Sequence, residues 1–179
     1  MAHAKNNKTE LRGGTGTKRV ARLVLALVLA IAWMTVIFQM SAGTADESSE
    51  MSGGLINTLL TMLFGSADPQ LAASLQHPIR KLAHFVEYAV LGFLLANAVR
   101  SFVLMRGQFN RPFGGKLVFL TWLIGVLYAL TDEFHQSFVP GRSMEFRDIC
   151  IDASGVLFGV LIFALAVKLY ASHRRKASE

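Results

Sequence analysis

Four long apolar runs, separated by polar segments, dominate the pattern of the chain. They predict membrane spans at about 23–40, 82–105, 117–135 and 149–170, because a helix needs about 20 residues to cross the apolar core of a bilayer. Between the first two runs, residues 41–77 are polar and hold one apolar helical face that is too short to cross. The pattern therefore predicts an all-α integral membrane four-helix bundle, with a short interfacial helix in the first outer loop.

Both ends of the chain are polar and basic. Residues 1–19 combine glycines with lysines and arginines and show no apolar periodicity, which predicts a disordered tail. Residues 172–179 predict a second basic tail, so 20–171 would form one membrane domain. A cleaved signal peptide is an alternative for the first run, because small residues follow it. The run is longer than the 7–15 apolar residues usual in a signal, which favours a retained span.

Composition agrees with a membrane protein, since 53% of the residues are hydrophobic and 17% are charged. The net charge of +6 could suggest a nucleic-acid partner. However, the basic residues lie in the tails and one loop without interleaved aromatic residues, so we predict none. With the N-terminus inside, 14 of the 18 lysines and arginines are cytoplasmic, which predicts that both termini are cytoplasmic. The single cysteine, Cys150, excludes an intrachain disulfide.

In this orientation, the polar residues of the last three spans gather at the outer membrane face. Helical spacing places them on one stripe of each helix, so neighbouring helices can turn them toward one another. Ionisable groups at this depth are costly and are usually paired or functional. The predicted outer-leaflet site consists of Arg80, Lys81, His84, Glu87, Asp132, Glu133, His135, Gln136, Arg142, Asp148 and Asp152.

The fourth span carries a second signal beside its carboxylates. Gly155 and Gly159 are four residues apart, a small-residue spacing that lets two membrane helices approach closely. Asp148 and Asp152 continue the same stripe, so they should point into the bundle with the glycines. We therefore assign Gly155 and Gly159 to helix packing.

Three interpretations of the polar residues remain open. In the first, their charges only pair with one another and lock the helices. In the second, Arg80, Lys81 and Arg142 contact the phosphate of an anionic lipid or a polyprenyl-linked precursor. The carboxylates that would hold these cations and the two histidines in place are Glu87, Asp132 and Asp148.

The third interpretation is a metal-dependent hydrolase, in which His84, Glu87, Asp132 and His135 hold a divalent metal. The residue types suit zinc, but their spacing matches no known metal motif. We therefore predict no cofactor, keep the divalent metal as an alternative, and assign no catalytic residue.

Two blocks of sequence resemble the VanZ-like family of membrane proteins. The first is RKLAHFVEY at 80–88, followed by LGFLL at 91–95. The second is DEFHQSF at 132–138 and PGR at 140–142, followed by D-x3-D-x2-G-x3-G at 148–159. The resemblance runs from about residue 77 to residue 166, in the family's order and spacing. At Asp152 the resemblance would lead us to expect Asn.

This resemblance implies a small multi-pass protein of the bacterial cell membrane, in a family associated with resistance to teicoplanin. Our leading hypothesis is a cell-envelope protein that binds an anionic lipid or a lipid-linked cell-wall precursor at the outer leaflet. Such a protein would contribute to glycopeptide resistance by limiting access of the antibiotic. The alternatives are a metal-dependent membrane hydrolase acting on a lipid, or a non-catalytic assembly partner that docks another membrane protein through Gly155 and Gly159.

Overall fold

The computed structural model describes residues 2–108 and 113–176, with side chains from residue 16 onward except that of residue 175. These two stretches are helical and contain no strand, which confirms the all-α prediction. The helices are α1 (Ala2–Ser41), α2 (Ala45–Phe64), α3 (Pro69–Met105), α4 (Gly115–Gln136) and α5 (Phe146–Lys176).

Within the described residues, four helical segments are long and apolar enough to cross a membrane. They are Gly16–Ser41, Pro69–Met105, Gly115–Gln136 and Phe146–Arg174. Each contains one of the predicted spans, so the four-span prediction is confirmed. The orientation with both termini cytoplasmic stays a prediction from the distribution of lysine and arginine.

The first helix is longer than its predicted span, because α1 begins at Ala2. The segment 1–19, for which we predict a disordered tail, is therefore helical in the structure from its second residue. Extending a helix that a long apolar segment has already nucleated adds one hydrogen bond per residue, whereas starting a new helix is costly. Of the predicted second tail, the part up to Lys176 continues α5, and 177–179 lie outside the described residues.

Helix α2 lies where the sequence predicts an interfacial helix, and it is not one of the four helices that are long and apolar enough to cross a membrane. It begins with a capping box between Thr44 and Glu47 and ends at Gly65, whose φ of 78° is left-handed. Ile56 and Leu60 are buried, and the helix packs against α3. The Gln76 side chain also donates a hydrogen bond to the Ser49 carbonyl, at 2.7 Å.

Helix α3 lies at the centre of the bundle and contacts each of the other four described helices. Asp68 caps its first turn and Pro69 follows, and an aspartate directly before a proline is a sequence pattern that predicts the start of a helix. The helix continues through Pro78 for 37 residues, a length of about 55 Å. It is therefore considerably longer than a bilayer core of about 30 Å.

Residues 139–142 read VPGR, which predicts a tight turn with proline at its second position and glycine at its third, and the structure contains this turn. The Arg142 amide donates to the Val139 carbonyl at 3.1 Å, and Gly141 has a φ of 75°. Proline at the second position and a left-handed glycine at the third are the requirements of a type II turn. This turn places Arg142 at the end of the bundle that contains the N-terminal part of α3.

Helices α3 and α5 approach each other through glycine. A Cβ added to Gly159 would lie 1.8 Å from the Ala89 carbonyl oxygen, and one added to Gly155 would lie 2.4 Å from that of Phe85. From the other side, a Cβ on Gly92 would lie 2.2 Å from the Val156 carbonyl oxygen. The Gly155 and Gly159 face is thus occupied by α3 of the same chain, so another membrane protein could not dock through it.

Candidate functional site

Two adjoining cavities lie at the end of the bundle that is predicted to face outside. The first has a volume of about 170 Å³ and the second about 80 Å³. Most of the surface of the first cavity is apolar, although seven of its twelve lining residues are polar or charged, and the second is lined mainly by charged and polar side chains. The walls of the first are Met40, Ser41, Ser48, Met51, Ser52, Leu55, Ile79, Arg80, Ala83, His84, Glu87 and Arg142. The walls of the second are Ala45, Arg80, Lys81, His84, Gln136, Gly141, Arg142, Ser143, Glu145 and Asp148.

Arg80, His84 and Arg142 line both cavities. Neither Arg80 nor Arg142 has a carboxylate within 4.0 Å among the described residues. Burial lowers the pKa of the Arg142 guanidinium, and the positive charge of Arg80 lowers that pKa further, while nearby carboxylates oppose this. A guanidinium nevertheless stays protonated in proteins. The two arginines therefore place adjacent positive charges, without an acidic partner, between a polar cavity and an apolar one.

Lys81 is different, because it is already paired. Its ammonium group forms an ion pair with the Asp148 carboxylate of α5, and both side chains are mostly buried. The contact links α3 to α5 beside the second cavity. Of the three predicted phosphate contacts, the two arginines thus remain available and the lysine is held by an aspartate.

Asp132 is bound by neutral donors from three helices. Its Oδ2 accepts hydrogen bonds from Ser41 Oγ at 2.7 Å, Tyr88 OH at 3.0 Å and Gln136 Nε2 at 3.2 Å. We expected this carboxylate to hold a cation, and the structure gives it uncharged partners instead. Since Asp132 is only 2% exposed, these donors compensate for part of the cost of its burial.

Two further carboxylates are fully buried behind the cavities. Glu133 Oε2 accepts from the Glu145 amide at 3.1 Å, while its Oε1 has no partner. Asp152 is 0% exposed, and neither of its oxygens accepts a hydrogen bond. The imidazole of His84 approaches it, with Nδ1 at 3.8 Å from Oδ1. Asp152 is thus the least satisfied carboxylate of the group, and His84 is its nearest basic neighbour.

Glu87 and His135 occupy separate positions. Glu87 lines the first cavity, and its backbone carbonyl accepts a hydrogen bond from Trp33 Nε1 at 2.9 Å. The ring of His135 packs on Phe38 of α1, with 4.2 Å between ring centroids, and lines neither cavity. The predicted residues therefore fall into a set on the cavity walls, three carboxylates buried behind it, and a histidine turned toward α1.

The alternative metal set is not assembled by this arrangement. Among the side chains that the structure describes, no three of the residue types His, Cys, Asp and Glu are placed to hold a metal ion. His135 faces Phe38, and Oδ2 of Asp132 already accepts three hydrogen bonds.

Several residues of the site are missing from the sequence-based prediction. Ser41 and Tyr88 complete the hydrogen bonds of Asp132, and Met51 and Leu55 bring α2 into the cavity wall. Tyr88 could have been found, because a tyrosine inside an apolar helix needs a partner for its hydroxyl group. The contribution of α2 could not, since nothing in residues 41–77 indicates which side of α3 the helix covers.

The fold and the site together define a helical membrane protein with buried carboxylates and an arginine-lined cavity at one end of its bundle. The model of the VanZ/LLP1 family matches residues 26–167. The chain therefore belongs to the VanZ/LLP1 family, as the two sequence blocks predict. The match also includes most of the first span, which the resemblance at 77–166 did not reach. No curated protein and no solved structure matches the chain significantly.

Proposed function

We propose that this protein binds the phosphate group of an anionic lipid, or of a lipid-linked cell-wall precursor, in the outer leaflet of the bacterial cell membrane. The observation that carries the proposal is the pair Arg80 and Arg142, which line both cavities without a carboxylate partner. An anion between them would remove their mutual repulsion and accept hydrogen bonds from both planar guanidinium groups.

The apolar cavity supports a lipid over a soluble phosphate. It lies between α1, α2 and α3 and presents Met40, Met51, Leu55 and Ile79 to its interior. A hydrocarbon chain placed there would leave water, while its phosphate reached the arginines of the adjoining polar cavity. Small-molecule sites commonly combine apolar walls with a few polar groups in this way.

In the cell envelope, such binding would hold a lipid or a cell-wall precursor in the cavities of this protein. We propose that it thereby contributes to resistance to teicoplanin-type glycopeptides. Family membership and the position of the site at the predicted outer face support this role. A second membrane protein as partner stays a prediction, and it would have to bind a face other than the one formed by Gly155 and Gly159.

The direct test is lipid binding by the full chain in nanodiscs of phosphatidylcholine, measured by native mass spectrometry. The probes are phosphatidylglycerol, phosphatidic acid and farnesyl pyrophosphate. Arg142→Ala should weaken their binding by about 10- to 100-fold, because it removes charge-assisted hydrogen bonds worth about 1.5–3 kcal/mol. Arg147→Ala is the matched control, since Arg147 is exposed and lines neither cavity.

Equal affinity of the wild-type protein and the Arg142→Ala variant for all three probes would contradict the proposal. The same pair of variants tests resistance. When the variants are expressed at equal membrane levels, the wild-type protein and Arg147→Ala should raise the teicoplanin concentration that inhibits growth. Arg142→Ala should leave that concentration unchanged. If Arg142→Ala also raised the inhibitory concentration, resistance would not depend on phosphate binding at this site.

A further inference from the structure

We propose that His84 and Asp152 form a proton-accepting pair that lets the site hydrolyse the terminal phosphoryl group of a bound lipid. The proposal rests on the binding of phosphate between Arg80 and Arg142 and adds a reaction to it. Its substrate class is a lipid that ends in a phosphate monoester or a pyrophosphate, and its second reactant is water.

The burial of Asp152 is the first argument. An ionised carboxylate with no exposure and no hydrogen-bond donor is very costly unless a cation or a proton compensates for its charge. Its nearest basic atom is Nδ1 of His84, which is also buried without a hydrogen bond. The separation of 3.8 Å is longer than a hydrogen bond, as is common for catalytic pairs before a substrate binds. The two groups are thus placed to share a proton.

The position of His84 is the second argument. Its Nδ1 is directed at Asp152 and is buried without a hydrogen-bond partner. Among the described residues, Nε2 of His84 is not buried in this way. Because His84 lines both cavities, Nε2 is the nitrogen that a molecule in the cavities would meet. A carboxylate at one imidazole nitrogen fixes the tautomer and leaves the other nitrogen free to accept a proton.

The surroundings of this pair are highly charged. Besides Asp152, the charged groups around His84 include Asp148 of α5, Asp132 of α4, Lys81 of its own helix and Arg142 of the α4–α5 turn, and Arg80 and Glu87 share the wall of the first cavity with it. Asp148 and Lys81 pair with each other, and Asp132 is bound by neutral donors. These contacts leave Asp152 as the acceptor for the imidazole and Arg142 as the group that holds the phosphate beside it.

The reaction balances without a metal or a redox partner. A water molecule in the polar cavity forms a new bond from its oxygen to the terminal phosphorus, and Nε2 of His84 takes a proton from that water. The bond from phosphorus to the bridging lipid oxygen breaks on the side opposite the attacking water, and the proton passes from His84 to this oxygen through water in the polar cavity. The products are inorganic phosphate and either a lipid alcohol or a lipid monophosphate. Arg80 and Arg142 stabilise the charge on the phosphoryl oxygens throughout.

The test measures inorganic phosphate released by the full chain in phosphatidylcholine nanodiscs containing EDTA. Dioleoyl phosphatidic acid is the monoester probe and farnesyl pyrophosphate the anhydride probe. The wild-type protein should turn over many times, and His84→Asn should lower the rate by at least about 100-fold. His77→Asn should keep the full rate, because His77 is an exposed histidine of the same helix that lines neither cavity.

Asp152 is a positioning residue, so its test needs a readout that a folding defect would not produce. Asp152→Asn should lower kcat at least about tenfold while the affinity for the two probes stays within about twofold. The shape of the pH–rate profile should differ between the wild-type protein and Asp152→Asn, a change that a merely structural role would not produce. Asp152→Glu should recover part of the rate.

Several outcomes would overturn the pair. If the wild-type protein binds both probes and releases no phosphate, this reaction is refuted and the lipid-binding function stands. If neither probe binds, both proposals fail. Release that persists in His84→Asn assigns the reaction to other groups or to a contaminant. Should Asp152→Asn fail to fold, as judged by circular dichroism and gel filtration, the His84→Asn result still decides.

Discussion

Helix α3 presents two neighbouring stripes that are built in opposite ways. Phe85, Ala89 and Gly92 face α5, where the backbones touch so closely that a Cβ on the facing glycines would overlap a carbonyl oxygen. Arg80 and His84, on the adjacent stripe, line cavities beneath α1 and α2. The first stripe has no room for a methyl group, and the second leaves empty space beside charged side chains.

This difference shows how one helix can hold charge in a membrane. The glycine contacts fix α3 against α5 and so set the position of Asp148 and Asp152 relative to Lys81 and His84. The loose side then supplies the space in which a ligand could meet these groups. If the comparison is correct, damage to the tight stripe should unfold the protein, whereas changes on the loose side should alter binding and leave the fold intact.

Gly159→Ala should have the largest effect on stability. Its Cβ would lie 1.8 Å from the Ala89 carbonyl oxygen and 2.9 Å from the Phe93 nitrogen, so the backbones of α3 and α5 would have to separate. We expect a loss of more than about 3 kcal/mol, at the upper end for overpacked sites. Thermal unfolding in detergent, followed by circular dichroism, measures it.

Gly54→Ala is the matched control for this substitution. Gly54 lies inside α2, and a Cβ there would meet no atom within 4 Å. Alanine in a helix interior should stabilise the protein by about 0.5–1 kcal/mol, because glycine loses more backbone entropy on folding. Similar melting temperatures for the two variants would contradict the close approach of α3 and α5.

Tyr88→Phe should have an intermediate effect. The substitution removes one of three donors to Oδ2 of Asp132 and keeps the buried ring, so the lost hydrogen bond is isolated. The expected cost is about 1–3 kcal/mol, since a buried carboxylate loses a partner. Thermal unfolding of Tyr170→Phe, at a tyrosine that is 67% exposed, provides the baseline.

A double-mutant cycle sharpens this prediction. Ser41→Ala removes a second donor to the same oxygen, so the two substitutions should couple and not add. Strict additivity would mean that Ser41 and Tyr88 do not act on one carboxylate. The cycle thus separates a shared hydrogen-bond centre from two independent packing defects.

Much of the fold follows from the sequence, because its signals are local. The four apolar runs, the Asp68 cap and the turn that ends at Arg142 each depend on neighbouring residues, and the structure contains all of them. The spacing of Gly155 and Gly159 likewise depends on one helix. The extension of α1 to Ala2 was not predicted, since composition in that segment favours disorder.

The site was predictable only in part, because partner choice depends on the positions of separate helices. The sequence shows that carboxylates and cations lie at similar depth. It does not show that Lys81 meets Asp148 while Arg142 meets no acid, or that His135 turns to Phe38. Rotation of one helix by a fraction of a turn would exchange these partners. The cavity under α2 depends in addition on where a surface helix lies.

The smallest effect is expected at the start of α2, which covers the loose side. Glu47 accepts hydrogen bonds from the Thr44 amide at 2.8 Å and the Thr44 hydroxyl at 3.1 Å, and these lower its pKa from the ordinary 4.5, the amide most. A carboxyl group whose pKa is lower in the folded state stabilises that state above its unfolded pKa. The contribution is lost as pH falls through the folded pKa.

The Glu47 and Ser48 amides should therefore exchange hydrogen faster, relative to intrinsic rates, below pH 4.5 than at pH 7. Glu47→Gln should remove this dependence and Glu50→Gln should keep it, because Glu50 lies outside the capping box. If acid accelerated exchange equally in both variants, the first turn of α2 would not depend on this cap, and the covering of the cavity would have to be attributed to the packing of Ile56 and Leu60 alone.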